Sequence, residues 1–271
     1  MVLIIPKIGF GGKPVNGSLK QILAGTTSKS EEPSTQPIVP AKNDIDLEKV
    51  VSLPRKTHGE YSYPETLVSM ERSHFNKNWD DAHQALIAEG AYMLTIMQFV
   101  DFLSLLRSGN AFDGRGQSID ASKLIKIYNE ITEVRGPWRS EWLDAKFAID
   151  SKGIFGLKGK TRVIKYNYIN DAGSLVTAVE PLSNDTLLED KTPGIDISQW
   201  LSTADPYGLP TKLISRGQLY YWYPKDKRVA WFSAYSGGAG LGCDWDPTDT
   251  DPQLGVFPCA EGTGAPNGGR T

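Results

Sequence analysis

Apolar positions repeat along this chain with two different periods, and the change from one to the other divides it. From Asn78 to about Phe147 the spacing is helical. Asn78 has the side chain of a helix cap, for a helix that runs through about Glu89 and closes at Gly90. Thr95 can cap a second helix, IMQFVDFLSLLR, which ends before Gly109. Ile96, Met97, Phe99, Val100, Phe102, Leu103, Leu105 and Leu106 cover nearly its whole circumference, so it is expected to be deeply buried. Asp120 can cap a third helix, with Leu124, Ile127, Ile131 and Val134 on one stripe and Gly136-Pro137 as its end. The stretch after it, WRSEWLDAKF, reads as a short helix or turn leading into strands.

From about Phe147 the pattern shortens to that of strands. KFAID and IFGL flank SKG as a hairpin with Gly153 in the turn, and TRVIKYNYI and SLVTAVEPL are further short strands. Asp196 can cap a small helix from Ile197 to Leu201. QLYYWYP, a turn at KDK, and RVAWFSAY follow, then LGVFPC as a closing strand and a Gly-rich tail from Glu261 that is expected to fray. Helices first and short antiparallel strands after them predict an α+β domain with a helical layer rather than a parallel α/β sheet. Residues 11–43 are too poor in apolar groups to offset the entropy of ordering. Residues 1–43 are therefore read as an arm or linker, with residues 1–10 able to dock as a strand, and 44–271 as one domain. No internal repeat is present.

Composition narrows the function classes. A formal net charge of −3 lacks the basic excess of a nucleic-acid binder. No apolar run approaches the ~20 residues that span a bilayer, so no membrane insertion is expected. MVLIIPKIGFGGK has neither a basic leader nor a proper apolar core, so no secretory signal is read and a cytoplasmic location is the default, with display on a surface or virion left open. Seven Trp and eleven Tyr are enough to supply both a core and a contact surface.

Several chemistries lack their residues. His58, His74 and His83 form no HExxH, are expected in surface or capping roles, and neither cysteine has zinc-site spacing. Glycine clusters GFGG and GGAG lack the strand-to-helix setting that cradles phosphate. No metal or other cofactor is expected. Asp244, Asp246, Asp249 and Asp251 invite a calcium reading, but counting from Asp244 an EF-hand loop would need Gly where Asp249 stands and Glu where Gly255 stands. A looser calcium site and a solvated acidic loop both stay open. Cys243 and Cys259 are compatible with one bridge or with two free thiols.

Residues 229–259 contain no Lys, Arg, His, Glu or Met, in a chain that uses Lys and Glu freely elsewhere. In an extended chain Gly242, Asp244 and Asp246 would fall on one side and Cys243, Trp245 and Pro247 on the other. The segment YYWYPKDKRVAWFSAYSGGAGLGCDWDPTDTDPQLGVFPC resembles the variable region of the target proteins of diversity-generating retroelements. Those proteins have a C-type lectin-like fold of the formylglycine-generating-enzyme-like kind. In them an error-prone reverse transcriptase randomises the adenines of a template repeat, turning AAC codons into NNC. NNC never encodes Lys, Glu, Gln, Met or Trp, and from Phe232 to Asp251 only Trp245 lies outside that set. LGVF is similar to the family's closing strand and RVAWF to the strand that leads into the variable loop.

The resemblance implies a ligand-binding protein that displays a mutable surface on a stable scaffold, with an unknown protein or cell-surface ligand as partner and no catalytic residue. Its variable region would be residues 229–259. Trp231, Leu241, Leu254, Val256 and Phe257 would be buried anchors. Phe232, Ser233, Ala234, Tyr235, Gly238, Gly240, Gly242, Asp244, Asp246, Asp249 and Asp251 would form the binding surface, a shallow acidic pocket suited to a basic or polar protein, with Phe232 and Tyr235 as its aromatic contacts. The alternatives are an oxidoreductase of the formylglycine-generating type, which needs a reactive cysteine pair, and a structural or virion adhesin with ordinary loops.

Overall fold

The computed structural model describes residues 45–150, 161–170, 174–183 and 189–262. The expected arm before Asp44, the turn at Gly153 and the tail beyond Gly262 lie outside them. Within them the chain is a mixed helix-and-sheet protein with mostly antiparallel strands and four α-helices. Strands β1 (Val50–Leu53), β4 (Thr66–Ser69), β14 (Pro258–Glu261) and β5 (Tyr92–Met93) make a small sheet in that order, and β2 (Lys56–His58) pairs with β3 (Tyr61–Tyr63). The large sheet runs β8 (Leu175–Pro181), β7 (Thr161–Ile169), β6 (Arg139–Asp150), β11 (Val229–Tyr235), β12 (Gly238–Trp245), β10 (Leu219–Trp222), β9 (Lys191–Ile195), with β13 (Leu254–Gly255) alongside β6.

The helix caps lie where the sequence puts them. In α1 (Trp79–Ala88) the Asn78 side chain accepts from the Asp81 N–H. In α2 (Ile96–Ser108) Thr95 and Gln98 form a reciprocal capping box, and Gly109 closes the helix at φ 66°. In α3 (Ala121–Thr132) Asp120 accepts from the N–H groups of Ser122 and Lys123. Asp196 caps α4 (Ile197–Thr203). Val134, expected on the buried stripe of α3, lies past the helix end and is exposed.

Three strand expectations change. WRSEWLDAKF is not a helix or turn. From Arg139 onward it belongs to β6, a central strand buried on both faces over most of its length, and burial of both faces erases the alternation that marks a half-exposed strand. Helices do not come first, because β1–β4 precede α1, and between QLYYWYP and RVAWFSAY the sheet inserts β12, parallel to β10 and antiparallel to β11. LGVFPC is divided between β13 on the large sheet and β14 on the small one.

Helices cover the two faces of the large sheet unequally. One face packs against the apolar α2, joined by α3 and α4, in a core that includes Phe99, Phe102, Trp200, Ala230, Phe232, Ala234, Leu241, Cys243 and Phe257. On the other face, Trp79 and Leu86 of α1 meet Trp142, Val229 and Trp231. Two indole hydrogen bonds tie this end together, from Trp79 Nε1 to the Leu143 carbonyl and from Trp142 Nε1 to the Lys77 carbonyl, both 3.0 Å. The loop before β13 is held by Arg72, whose Nη1 donates to the carbonyls of Ser140 and Gln253. Arg72 also stands 3.9 Å from the buried Glu141, which Arg139 meets at 3.3 Å. Burial pushes the Glu141 carboxyl above its ordinary value, against the pull of both guanidiniums.

Phe232 has no exposed surface, lies 6.1 Å from Trp200 in a parallel stack and tilts against Phe99 at 5.2 Å. Phe232→Ala is therefore expected to cost about 3–5 kcal/mol. For a domain of this size that lowers Tm by roughly 10 °C, measurable by thermal melting. A variant that melts with the parent would show that this side chain is not in the core.

Candidate functional site

The face of the large sheet left open beyond α1 carries an aromatic cleft. Along β12 the residues alternate: Ala239, Leu241 and Cys243 enter the core, while Gly238, Gly240 and Gly242 fall on the opposite, outer face. A side chain on these glycines would collide with Tyr220 of β10 or Trp231 of β11. At Gly242 a Cβ would overlap the Trp231 indole, at Gly238 the Tyr220 ring, and at Gly240 it would stand 2.6 Å from the Tyr220 carbonyl oxygen. Gly238 also has φ 152°, a backbone region that L side chains rarely adopt. The bare strand lets rings from both neighbouring strands lie on it.

Those rings join into an arc. Tyr235 meets Tyr220 at 6.0 Å, Tyr220 stacks on Trp222 at 5.7 Å, and Trp222 stacks on Trp231 at 5.9 Å. Trp231 meets Trp245 at 4.2 Å and Trp245 meets Trp138 at 6.5 Å. The Tyr220 hydroxyl donates to the Gly237 carbonyl at 2.9 Å and so ties the arc to the β11–β12 turn. The Arg135 N–H donates to the Tyr235 carbonyl at 3.3 Å, which brings the segment after α3 across the end of the strand. Together, Arg135, Gly136, Pro137, Trp138, Trp231, Ser233, Tyr235, Ser236 and Trp245 enclose a cleft of about 520 Å³. Burial beside Tyr220 raises the Tyr235 phenol above its ordinary pKa, which keeps its proton in place.

A bulge places Trp245 in this arc. Trp231 pairs with Gly242 and Val229 with Trp245, so β12 has one residue more than β11 between those pairs. The extra residue moves Trp245 to the side of Gly242, contrary to the expectation that it shares a side with Cys243.

The expected binding surface is only partly brought together. Ser233 and Tyr235 line the cleft. Phe232 and Ala234 do not belong to it, because the alternation of β11 turns both into the core. Gly238, Gly240 and Gly242 are on the cleft's face, but Gly238 and Gly242 are covered by rings and Gly240 by the backbone and Cβ of Tyr220. The aspartates lie elsewhere. Asp244 precedes the cleft residue Trp245 but is not itself a lining residue. It accepts from Lys225 Nζ at 2.9 Å. Asp246 accepts from the Thr248 hydroxyl and N–H, at 2.7 and 3.0 Å, and pairs with Arg228. These bonds, Thr248's first, lower its pKa to about 2. Asp249 is exposed in the following loop, and Asp251 accepts from the Gln253 N–H at 2.7 Å. In place of the expected acidic pocket there is an aromatic one, whose only charged lining residue among the described residues is Arg135. The expected anchors Trp231, Leu241, Leu254, Val256 and Phe257 are all buried.

The reading of residues 229–259 misses Arg135, Trp138, Tyr220 and Trp222. GPW directly after the third helix and the i, i+2 aromatics of LYYW were the available signals, but what joins them is strand order, which is not local in sequence. Among the described residues no group of three His, Cys, Asp or Glu could hold a metal ion. The histidines are scattered. His58 Nε2 lies 2.6 Å from Asp101, His74 Nδ1 lies 2.6 Å from the Ser73 hydroxyl, and His83, expected in a surface or capping role, is buried 3.4 Å from Asp144. Cys243 and Cys259 are free, buried thiols on different sheets, and burial holds both pKa values well above the ordinary value. Among the described residues no helix is long and apolar enough to cross a membrane.

Gly242→Ala is expected to push the Trp231 indole off the strand and to cost about 1–3 kcal/mol, as overpacking does. Near-ultraviolet circular dichroism should change with it. An unchanged spectrum at parental stability would contradict the account of the arc. No protein-family model, curated protein or solved structure matches the chain, so the reading of the cleft rests on its own geometry.

Proposed function

We propose that this chain is a ligand-binding protein, built on a C-type lectin-like domain of the formylglycine-generating-enzyme-like kind, whose aromatic cleft is the mutable surface of a retroelement-diversified receptor. The alternation of β11 carries this reading. Tyr235 and Ser236 line the cleft at its surface and Ser233 lines it from beneath, itself buried, while Phe232 and Ala234 turn to the other side of the sheet into the core. A binding surface that changes from copy to copy needs such a partition, because its stability must reside in other residues. Ser233, Tyr235 and Ser236 also belong to the residue types that an NNC codon encodes and that antibody contact surfaces favour. The alternative of a formylglycine-type oxidoreductase asks for a thiolate, which forms readily next to positive charge or a helix N-terminus. Here both thiols are enclosed in apolar core.

Two measurements test the proposal. DNA sequencing around the coding region should find a near-identical repeat of the codons for residues 229–259, beside a reverse-transcriptase gene. It should differ at adenines, with the differences falling on the codons of Ser233, Tyr235 and Ser236. The absence of a repeat, or differences concentrated at Phe232 and Ala234, would overturn the reading. In the protein, Tyr235→Asn and Ser236→Asn together should move Tm by about 2 °C or less, as substitutions outside the core do. A loss as large as that expected for Phe232→Ala would count against it.

A further inference from the structure

We infer, building on the reading of this cleft as the binding site, that its ligand is an acidic peptide segment with a carboxylate set beside an aromatic or apolar side chain. The sign of the charge comes from the lining. Arg135 is exposed at the rim and makes no ion pair among the described residues, and no carboxylate lines the cleft. Asp244 and Asp246 of the neighbouring segment are already engaged by Lys225 and Arg228. A carboxylate entering beside Arg135 gains a charge-assisted bond, and the guanidinium is suited to hold both of its oxygens.

The walls add hydrogen-bond donors that lack acceptors. Trp231 Nε1, Trp245 Nε1 and the Ser233 hydroxyl oxygen are buried in residues that line the cleft, and none has a hydrogen-bond partner among the described residues. An indole N–H can only donate, so the two indoles call for an acceptor, that of Trp245 beside the opening and that of Trp231 against Gly242, while the Ser233 hydroxyl can donate or accept. The lining side chains offer no carboxylate or amide oxygen of their own. A neutral sugar could meet the indole N–H groups with its hydroxyl oxygens but would leave Arg135 without a counter-charge. A cation would find aromatic faces but no counter-charge, with Arg135 opposing it. The rings of Trp138, Trp245 and Tyr235 supply the apolar floor that the neighbouring side chain of a peptide would cover.

The test uses the full chain with nitrogen-labelled tryptophan, following the indole N–H cross-peaks of Trp231 and Trp245. N-acetylphenylalanine should shift these peaks at the lowest concentration. N-acetylphenylalaninamide should need about tenfold more, since it loses one charged hydrogen-bond acceptor. Phenethylammonium should bind more weakly still, and glucuronate should leave the peaks unmoved. Arg135→Gln should weaken the acid about tenfold and spare the amide, while Arg135→Lys recovers part of the loss. Equal binding of acid and amide, tighter binding of the ammonium, or indifference to Arg135→Gln would overturn the anionic assignment while leaving the cleft as a binding site. Preference for glucuronate would replace the peptide by an acidic sugar. If none of the probes moves any cleft indole, the reading of the cleft itself fails along with this one.

Discussion

Three glycines at alternate positions of one strand leave a strip of bare backbone, and the rings of the two adjoining strands lie on it. The Tyr220 ring covers Gly238, the Trp231 indole covers Gly242, and between them the backbone and Cβ of Tyr220 close on Gly240. Everything distinctive about the open face depends on this contact. With side chains at those positions the rings would be lifted off the sheet, the continuous arc from Tyr235 to Trp138 would break, and the cleft would lose its wall. The other side of the same strand contributes Ala239, Leu241 and Cys243 to the core, so one strand both anchors the sheet and shapes the site.

Rigidity comes from the opposite face. The apolar α2, with α3 and α4, fills that side around Phe99, Phe102, Trp200 and Phe232, and α1 clamps the end of the sheet at Trp142 and Trp231. The Arg72–Glu141–Arg139 group ties the start of β6 to the loop that precedes β13. Such buried charge is weak as a source of stability, but loss of one partner would strand the others. The cleft is thus built on strands with a packed core beneath them, while its rim at residues 135–138 belongs to the connection after α3.

Much of this was legible in the chain. Local rules sufficed for the helices: Asn78, Thr95, Asp120 and Asp196 cap them as their side-chain chemistry dictates, and Gly109 ends α2 in the left-handed conformation. The buried anchors followed from the resemblance, and all five are apolar side chains. Three features were not legible. The pattern of β6 was hidden by burial of both its faces. The bulge in β12 reversed the side of Trp245, and a single inserted residue leaves no mark on composition. The insertion of β12 between β10 and β11 brought Tyr220 and Trp222 into the site, a pairing that no local pattern encodes. Three of the aspartates misled in the opposite direction, since a run of acidic residues reads as a surface until Lys225, Arg228 and the turn N–H groups are seen to occupy Asp244, Asp246 and Asp251.

The central claim is that residues 231–245 divide strictly between a fixed core and an open aromatic face. Saturation mutagenesis of that segment, scored for retention of folded protein, tests it most directly. Tolerance should be low at Phe232, Ala234, Leu241 and Cys243, low at Gly238, Gly240 and Gly242 for any side chain, and high at Tyr235 and Ser236, with the alternation shifting phase at the bulge before Trp245. A profile that is uniform along the segment, or one in which Phe232 and Ala234 vary as freely as Tyr235, would contradict the account.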